Sequence, residues 1–288
     1  MKKNILVITL MAVLIAFAGN AQRQRSHSTK KAGSKVEKPQ KQNNSQGNKT
    51  LQRQNLIQQA VDNMVFVEGG TLTLGDTFLP VEVINYTSDL PHQVTVSSYY
   101  ISKYEVTQAL WLAVMGNNPS DNQGDLNRPV ECVSWDDCQI FINKLNQLTG
   151  KKFRLPTEAE WEFAARGGNL THGYKYAGSN NIDDVAWHKG NARDSRWYLR
   201  TFPVGKKAPN ELGLYDMSGN VEEWCQDYDW GYQFPAGPLV NPTGPETGVR
   251  RVHRGGSYVE GDGGCTVFYR YSNDPDFDNT FLGLRLAI

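Results

Sequence analysis

Arg251-Val252-His253-Arg254-Gly255-Gly256-Ser257-Tyr258, continuing through Cys265 to Leu284-Arg285-Leu286, is the stretch whose reading decides the fold. Two dense segments precede it. One is Gly213-Leu214-Tyr215-Asp216-Met217-Ser218-Gly219-Asn220-Val221-Glu222-Glu223-Trp224. The other is Phe153-Arg154-Leu155-Pro156-Thr157-Glu158-Ala159-Glu160-Trp161-Glu162-Phe163-Ala164-Ala165-Arg166-Gly167-Gly168. Any one of them alone is a weak signal; in this order they are a specific one.

Together the segments resemble the formylglycine-generating enzyme (sulfatase-modifying factor) domain, a relative of the C-type lectin fold, over Met64 to Ile288. The resemblance implies one α+β domain, loop-rich, with short strands and few helices. Composition agrees with that. Twenty-seven glycines and thirteen prolines point to a core held by turns and loops. A hydrophobic content of 39%, with 11% aromatic residues, is enough to build a substantial core.

The net charge of zero hides an asymmetry. Residues 1–50 carry ten Lys/Arg and one acid, Glu37, whereas residues 51–288 carry twenty basic and twenty-nine acidic residues. A folded part about nine charges negative argues against nucleic acid as partner, because phosphate neutralisation needs a basic face. It suits a secreted, calcium-binding domain.

The N-terminus reads as an address. Lys2-Lys3, the apolar run Ile5 to Ala18 and Gly19-Asn20-Ala21 form a secretory signal cut after Ala21, so 1–21 is a signal peptide. The apolar run is shorter than the ~20 residues of a membrane span, which disfavours an uncleaved anchor. Residues 22–63 form a basic tail and lead-in, disordered over 22–50 because almost nothing there can be buried, then amphipathic around Leu51–Val61. The expected location is the periplasm, cell envelope or extracellular space, with membrane contact only transient, through the signal or the basic tail. Export permits disulfides among Cys132, Cys138, Cys225 and Cys265, and four cysteines allow three full pairings. No Cys/His spacing of a zinc site accompanies them.

Within the domain, residues 64–288, Met64-Val65-Phe66-Val67, Thr71–Gly75, Pro91–Val96 and Tyr99–Ser102 read as strands. Thr107 is expected to cap a helix ending near Gly116. Ser134-Trp135-Asp136-Asp137 has the form of a capping box. It should open a helix with Phe141, Leu145 and Leu148 inward and Gly150 as its stop. Thr157-Glu158-Ala159-Glu160 repeats the device, so Glu158 and Glu160 are better explained by capping and the helix dipole than by acid–base chemistry.

The resemblance implies a calcium site made of the Asp216 and Glu223 side chains and the Gly219 and Val221 carbonyls, in keeping with calcium's demand for hard oxygens. The family commonly has Trp where this chain has Glu222. The family's oxidation of a substrate cysteine to formylglycine uses two thiolates on monovalent copper. Both should follow Gly-Gly-Ser-Tyr, but here Glu260 stands in the first position and Cys265 in the second. A carboxylate is a hard ligand and a poor substitute for a thiolate on copper(I), so copper is not expected. Ser257 and Cys265 are then remnants of the catalytic site. Relatives that place iron on histidines of an added domain are no closer, since His27, His92, His172, His188 and His253 are scattered.

From Val259 to Phe281 the framework Cys265, Tyr269-Arg270, Pro275 and Gly283-Leu284-Arg285 is interrupted by Gly, Asp, Thr, Val, Phe, Tyr, Ser and Asn. All of these are reachable from an Asn codon by adenine changes. The segment thus resembles the variable region of lectin-fold proteins altered by diversity-generating retroelements. That implies a ligand-binding face with Tyr258, Glu260, Asp262, Phe268, Tyr269, Tyr271, Asp274, Phe277 and Phe281 as contacts for a protein or glycan. The expected function is a secreted, non-catalytic binding domain. The alternatives are an oxidase acting on a cysteine of an exported partner, or a structural part of an envelope machine.

Overall fold

Helices begin where short-range hydrogen bonds can satisfy their first amides. Thr107 accepts from Leu110 N and opens α2 (Gln108–Met115), which stops at Gly116 in a left-handed conformation. Ser134 and Asp137 form a reciprocal capping box at the start of α3 (Trp135–Thr149), closed by Gly150. Thr157 and Glu160 form the same device at α4 (Glu158–Ala165). The inward faces are Leu110, Trp111 and Val114 on α2, and Phe141, Ile142 and Leu145 on α3. Leu148, expected inward, is instead 47% exposed, because the last turn of α3 extends past the core.

The computed structural model describes residues 42–78, 90–231 and 237–288. The signal segment and the tail up to residue 41 lie outside the described residues. Residues 42–50, expected to be disordered, are helical: α1 runs from Gln42 to Asp62. Its own sequence is a poor amphipath, but Ile57, Ala60 and Val61 dock against the cluster formed by α2 and α3. Tertiary packing thus supplies what propensity does not.

Strands follow in short pairs. β1 (Met64–Val67) pairs antiparallel with β4 (Tyr99–Ser102), and β2 (Gly70–Leu74) with β3 (His92–Val96). After the short α5 (Ile182–Val185), the C-terminal half builds a third, four-stranded sheet. Its strands are β5 (Glu222–Tyr228), β7 (Arg251–Arg254), β8 (Arg270–Asn273) and β9 (Leu282–Leu284), in the order β8-β7-β5-β9. β6 (Leu239–Val240) joins β3 in parallel. α+β architecture with short strands and few helices is what the sequence predicts.

Two large packing clusters fill the interior, beside a small third one of Tyr176, Ile182, Val185, Ala186 and Cys265. One joins α1, α2 and α3 to Trp224, Leu282, Leu284 and Leu286; the other joins the first strands and α4 to Leu214, Met217, Cys225 and Val252. Charged residues run through both. Arg285, Glu223 and Arg254 are 0 to 1% exposed, and each is paired: Arg285 with Glu223, and Arg254 with Glu162. Glu162 also accepts from Gly75 N and from Arg166. That neighbouring positive charge holds its carboxyl below the usual range in spite of burial.

Candidate functional site

The C-terminal loop is closed by glycine. Gly255 and Gly256 both sit at positive φ, 99° and 66°, and a Cβ on Gly256 would lie 2.2 Å from the Gly264 carbonyl oxygen. Only hydrogen at that position lets residues 256 and 264 approach. The loop therefore folds back on itself, and Glu260 Oε2 accepts from Ser257 N at 2.9 Å.

The β5–β7 register, which pairs Trp224 with His253 and Glu223 with Arg254, brings Glu222 beside the same loop. Glu222 and Glu260 lie close enough for their carboxyl groups to act on each other, while neither Glu222 oxygen has an aligned hydrogen-bond partner among the described residues. These are the two positions at which the sequence departs from its family, and they are in contact. His253 joins them. Its Nδ1 lies 2.5 Å from Glu222 Oε2 without the alignment of a hydrogen bond, and Asn273 Nδ2 is 3.0 Å from Nε2. With Asn273 donating, the neutral ring carries its proton on Nδ1, facing Glu222.

Burial sets the electrostatics. It pushes Glu222 up to about 7, and burial with the neighbouring Glu222 charge pushes Glu260 up to about 9. It also pushes His253 down to about 3. At neutral pH Glu260 keeps its proton and the imidazole is neutral, since two carboxylates this close do not both ionise. Neither Glu222 nor His253 stood out in the sequence as a partner of Glu260; the visible signal was the pair of departures from the family pattern.

The two catalytic remnants are internal. Ser257 and Cys265 are each 0% exposed, and Cys265 Sγ donates to the Ser257 carbonyl at 3.8 Å. Burial, then Glu260 and Glu222, hold the thiol well above its usual range, so it stays protonated. The remaining thiols do not gather around it: Cys138 and Cys225 belong to separate packing clusters, and Cys132 Sγ donates to Glu131. All four cysteines are free thiols, so the disulfides that export would permit are absent from this fold. One buried thiol beside a carboxyl pair does not fit a two-thiolate copper(I) centre.

The calcium ligands implied by the resemblance are brought together but do not act alike. Asp216, at φ 58°, accepts from Gly205 N through Oδ2, while its buried Oδ1 has no hydrogen-bond partner. Burial raises Asp216 to about 6. Glu223 has no oxygen to spare. Arg285 contacts both of them at 2.8 to 3.1 Å, and Trp161 Nε1 adds a bond of 2.6 Å. Gly219 and Val221 lie in the same turn, where Val221 N donates to Glu105 and a Cβ on Gly219 would strike the Trp187 carbonyl. The cation that faces Glu223 in this arrangement is a guanidinium, and the four-ligand set does not fit calcium as arranged.

The expected ligand contacts divide into two groups. Tyr258 is 5% exposed and donates to Thr280, Phe268 packs on Phe78, and Phe277 and Phe281 pack on the first cluster; all four serve the interior. Asp262, Asp274 and Tyr271 are exposed, with Tyr269 edge-on to Tyr271 at 4.8 Å. Tyr271 in turn stacks on His253, which ties the outer face to the buried carboxyl pair.

Several known proteins are similar to this chain. The family described as the sulfatase-modifying factor enzyme 1-like domain matches residues 49–288. The chaperone protein LppX of Paenibacillus barcinonensis is 34% identical, over 78% of this chain and 89% of its own length. The formylglycine-generating enzyme of Streptomyces coelicolor is 40% identical over 58% of this chain, and the match spans 55% of that enzyme's length. Among solved structures, Treponema denticola variable protein 1 superposes with a TM-score of 0.69 at 33% identity, covering 78% of this chain and 94% of its own. This chain therefore belongs to the sulfatase-modifying factor enzyme 1-like domain family.

Proposed function

We propose that this chain is an exported, non-catalytic member of its family that holds a protein or glycan ligand on the surface formed by residues 259–281. The observation that carries the reading is the state of Glu260. It occupies the position of the first copper thiolate, where its Oε2 accepts from Ser257 N at 2.9 Å and burial beside Glu222 favours its protonated form. The second thiol, Cys265, is buried and protonated beside it. Asp262, Tyr271 and Asp274 remain on the outside of the same segment, the mix of aromatic and small polar groups that adaptable binding faces use. The names of two similar proteins, a chaperone and a variable protein, accord with binding. Export rests on the N-terminal Lys-Lys and apolar run; among the described residues no helix is long and apolar enough to cross a membrane. The reading does not require calcium, because Arg285 already balances Glu223.

The second reading, an oxidase of the formylglycine-generating type, is favoured by the 40% identity to the Streptomyces enzyme. One experiment separates them. Purified protein is incubated with copper(I), oxygen and a sulfatase-type cysteine peptide, and aldehyde is sought by mass spectrometry. No aldehyde is expected from the wild type. Turnover that disappears in Cys265→Ser would establish the oxidase instead.

A further inference from the structure

We infer that the basic and aromatic face built by residues 189–207, which adjoins the 258–264 loop, docks an acidic segment of a partner protein. The inference rests on the reading of the chain as a binding domain and adds the chemistry of what is bound. It starts from charge. Residues 186–207 hold six basic side chains and one acid, whereas the rest of 51–288 holds fourteen basic and twenty-eight acidic ones. A net charge of five positive thus sits on one short loop of a domain that is otherwise strongly negative.

The loop is built to present its tip. Arg193 and Leu199 pair across it, and Asp194 pins the turn: its carboxylate accepts from Arg196 N at 2.8 Å and Tyr198 N at 3.1 Å. Trp197 is held at φ 67°, a left-handed conformation unusual for a bulky residue, by its N–H to Asp194 O and by Arg193 donating to its carbonyl. The result is a Trp 75% exposed next to a Tyr 66% exposed, with Arg193 and Arg196 alongside. A strained, water-facing indole contributes nothing to the core. Trp, Tyr and Arg are, however, the residues that dominate protein–protein hot spots, and a pre-ordered loop loses little entropy on docking.

The base of the face carries further cations, of which Lys207 is partly offset by Asp183. Lys207 lies 4.4 Å over the Trp187 ring, Trp187 stacks on Phe202 at 4.0 Å, and the Arg128 guanidinium lies 5.7 Å from Phe202. Arg200 is close enough to Arg128 for the two like charges to oppose each other, and each leaves N–H donors without a hydrogen-bond partner. Asp194 and Asp125 are the acids that face this pair, so the cationic excess extends outward to the tip. The position is set by one backbone bond and two made by side chains. Lys189 N donates to Glu260 O at 2.8 Å, and Arg200 Nη2 donates to Gln123 O in the loop whose Asn122 reaches Tyr258. The basic face and the 258–264 segment therefore form adjoining parts of one surface. Complementary charge would both speed encounter with an acidic partner and fix its orientation.

The test uses the full chain and fluorescein-labelled poly-L-glutamate as probe, read by fluorescence anisotropy at ~0.05 and ~0.3 M salt, on either side of the regime where exposed charges are well screened. Wild type should bind, with affinity falling as salt rises. Arg193→Glu/Arg196→Glu should bind about tenfold more weakly, as expected when two exposed pairings become repulsions. Trp197→Ala should also bind more weakly while keeping the wild-type salt dependence. Arg193→Glu also removes the bond to the Trp197 carbonyl, so Arg196→Glu alone is run beside the pair and should weaken binding by itself; melting temperatures should be unchanged in Arg196→Glu and Trp197→Ala, whose side chains are exposed. The basic N-terminal tail contributes equally to every variant, so differences report the loop. Equal binding by wild type and Arg193→Glu/Arg196→Glu would overturn the proposal. So would tighter binding of a polyuronate or an oligothymidylate through the same residues, or wild-type self-association that the double variant abolishes. Tyr271→Ala/Asp274→Ala probes the 259–281 surface separately. If that variant alone loses binding, this inference fails while the reading of 259–281 survives.

Discussion

Glu223→Gln tests whether a guanidinium or a metal ion organises the turn at 216–223. The substitution leaves the side-chain volume almost unchanged but removes the charge that faces Arg285, which is 0% exposed and contacts both Glu223 oxygens. Arg285 would keep its bonds to the Ser102 and Tyr215 carbonyls, which are neutral acceptors. Trp161 Nε1 would keep an amide oxygen at most. Breaking one side of a buried ion pair costs about 3–5 kcal/mol. For a domain of this size each kcal/mol corresponds to roughly 2–4 °C, so the melting temperature should fall by about 6–20 °C. The assay is thermal unfolding followed by circular dichroism near pH 7, run with excess calcium and with chelator. The full loss should appear in chelator. If wild type and Glu223→Gln melt together in chelator and part only when calcium is added, the ion holds the turn and the account built on Arg285 is refuted.

Three further outcomes are expected. Glu260 is pushed up to about 9 by burial and by Glu222, so the folded state keeps a proton that the unfolded chain releases near its usual value of about 4.3. That contribution to stability is complete below the unfolded value and is lost as pH rises through the folded one; Glu260→Gln should flatten the decline in melting temperature between about pH 5 and 9, and an unchanged slope would remove the carboxyl pair as its cause. Gly256→Ala forces a Cβ to within 2.2 Å of the Gly264 oxygen at positive φ, and should lower the urea midpoint by the equivalent of about 1–3 kcal/mol, whereas Gly261→Ala, with open space around it, should not. Mass spectrometry of protein recovered from the envelope or medium should find a mature N-terminus at Gln22; a cytosolic form that keeps Met1 would sink the export reading.

The chain's local chemistry could be read without coordinates, because caps and turns are satisfied within a few residues. Ser134 with Asp137, Thr157 with Glu160, Gly116 and Gly150 act where the sequence places them, since a helix's first amides and last carbonyls can be reached only from nearby. The order of the three dense segments likewise identified the family, and Glu260 stood out against its pattern. Distant pairings were another matter. Glu222 and Glu260 lie in different segments of the chain, and only the β5–β7 register and the closed glycine loop bring their carboxyls together. The acids expected to bind calcium look alike in sequence, yet Arg285 engages one and leaves an oxygen of the other without a partner. Phe277 and Phe281 share their composition class with Tyr271, but packing against the first cluster takes them out of the outer face. The first residues of α1 read as solvated tail, and those at 47–50 are indeed exposed; the helix is held from its far end, where Ile57, Ala60 and Val61 meet a surface made by α2 and α3 far along the chain. The basic residues of 189–207 are scattered through a loop-rich stretch and do not stand out in the sequence. That they border the 258–264 segment depends on the hydrogen bond from Lys189 N to Glu260 O and on those of Arg200 and Asn122, which no periodicity or composition can specify.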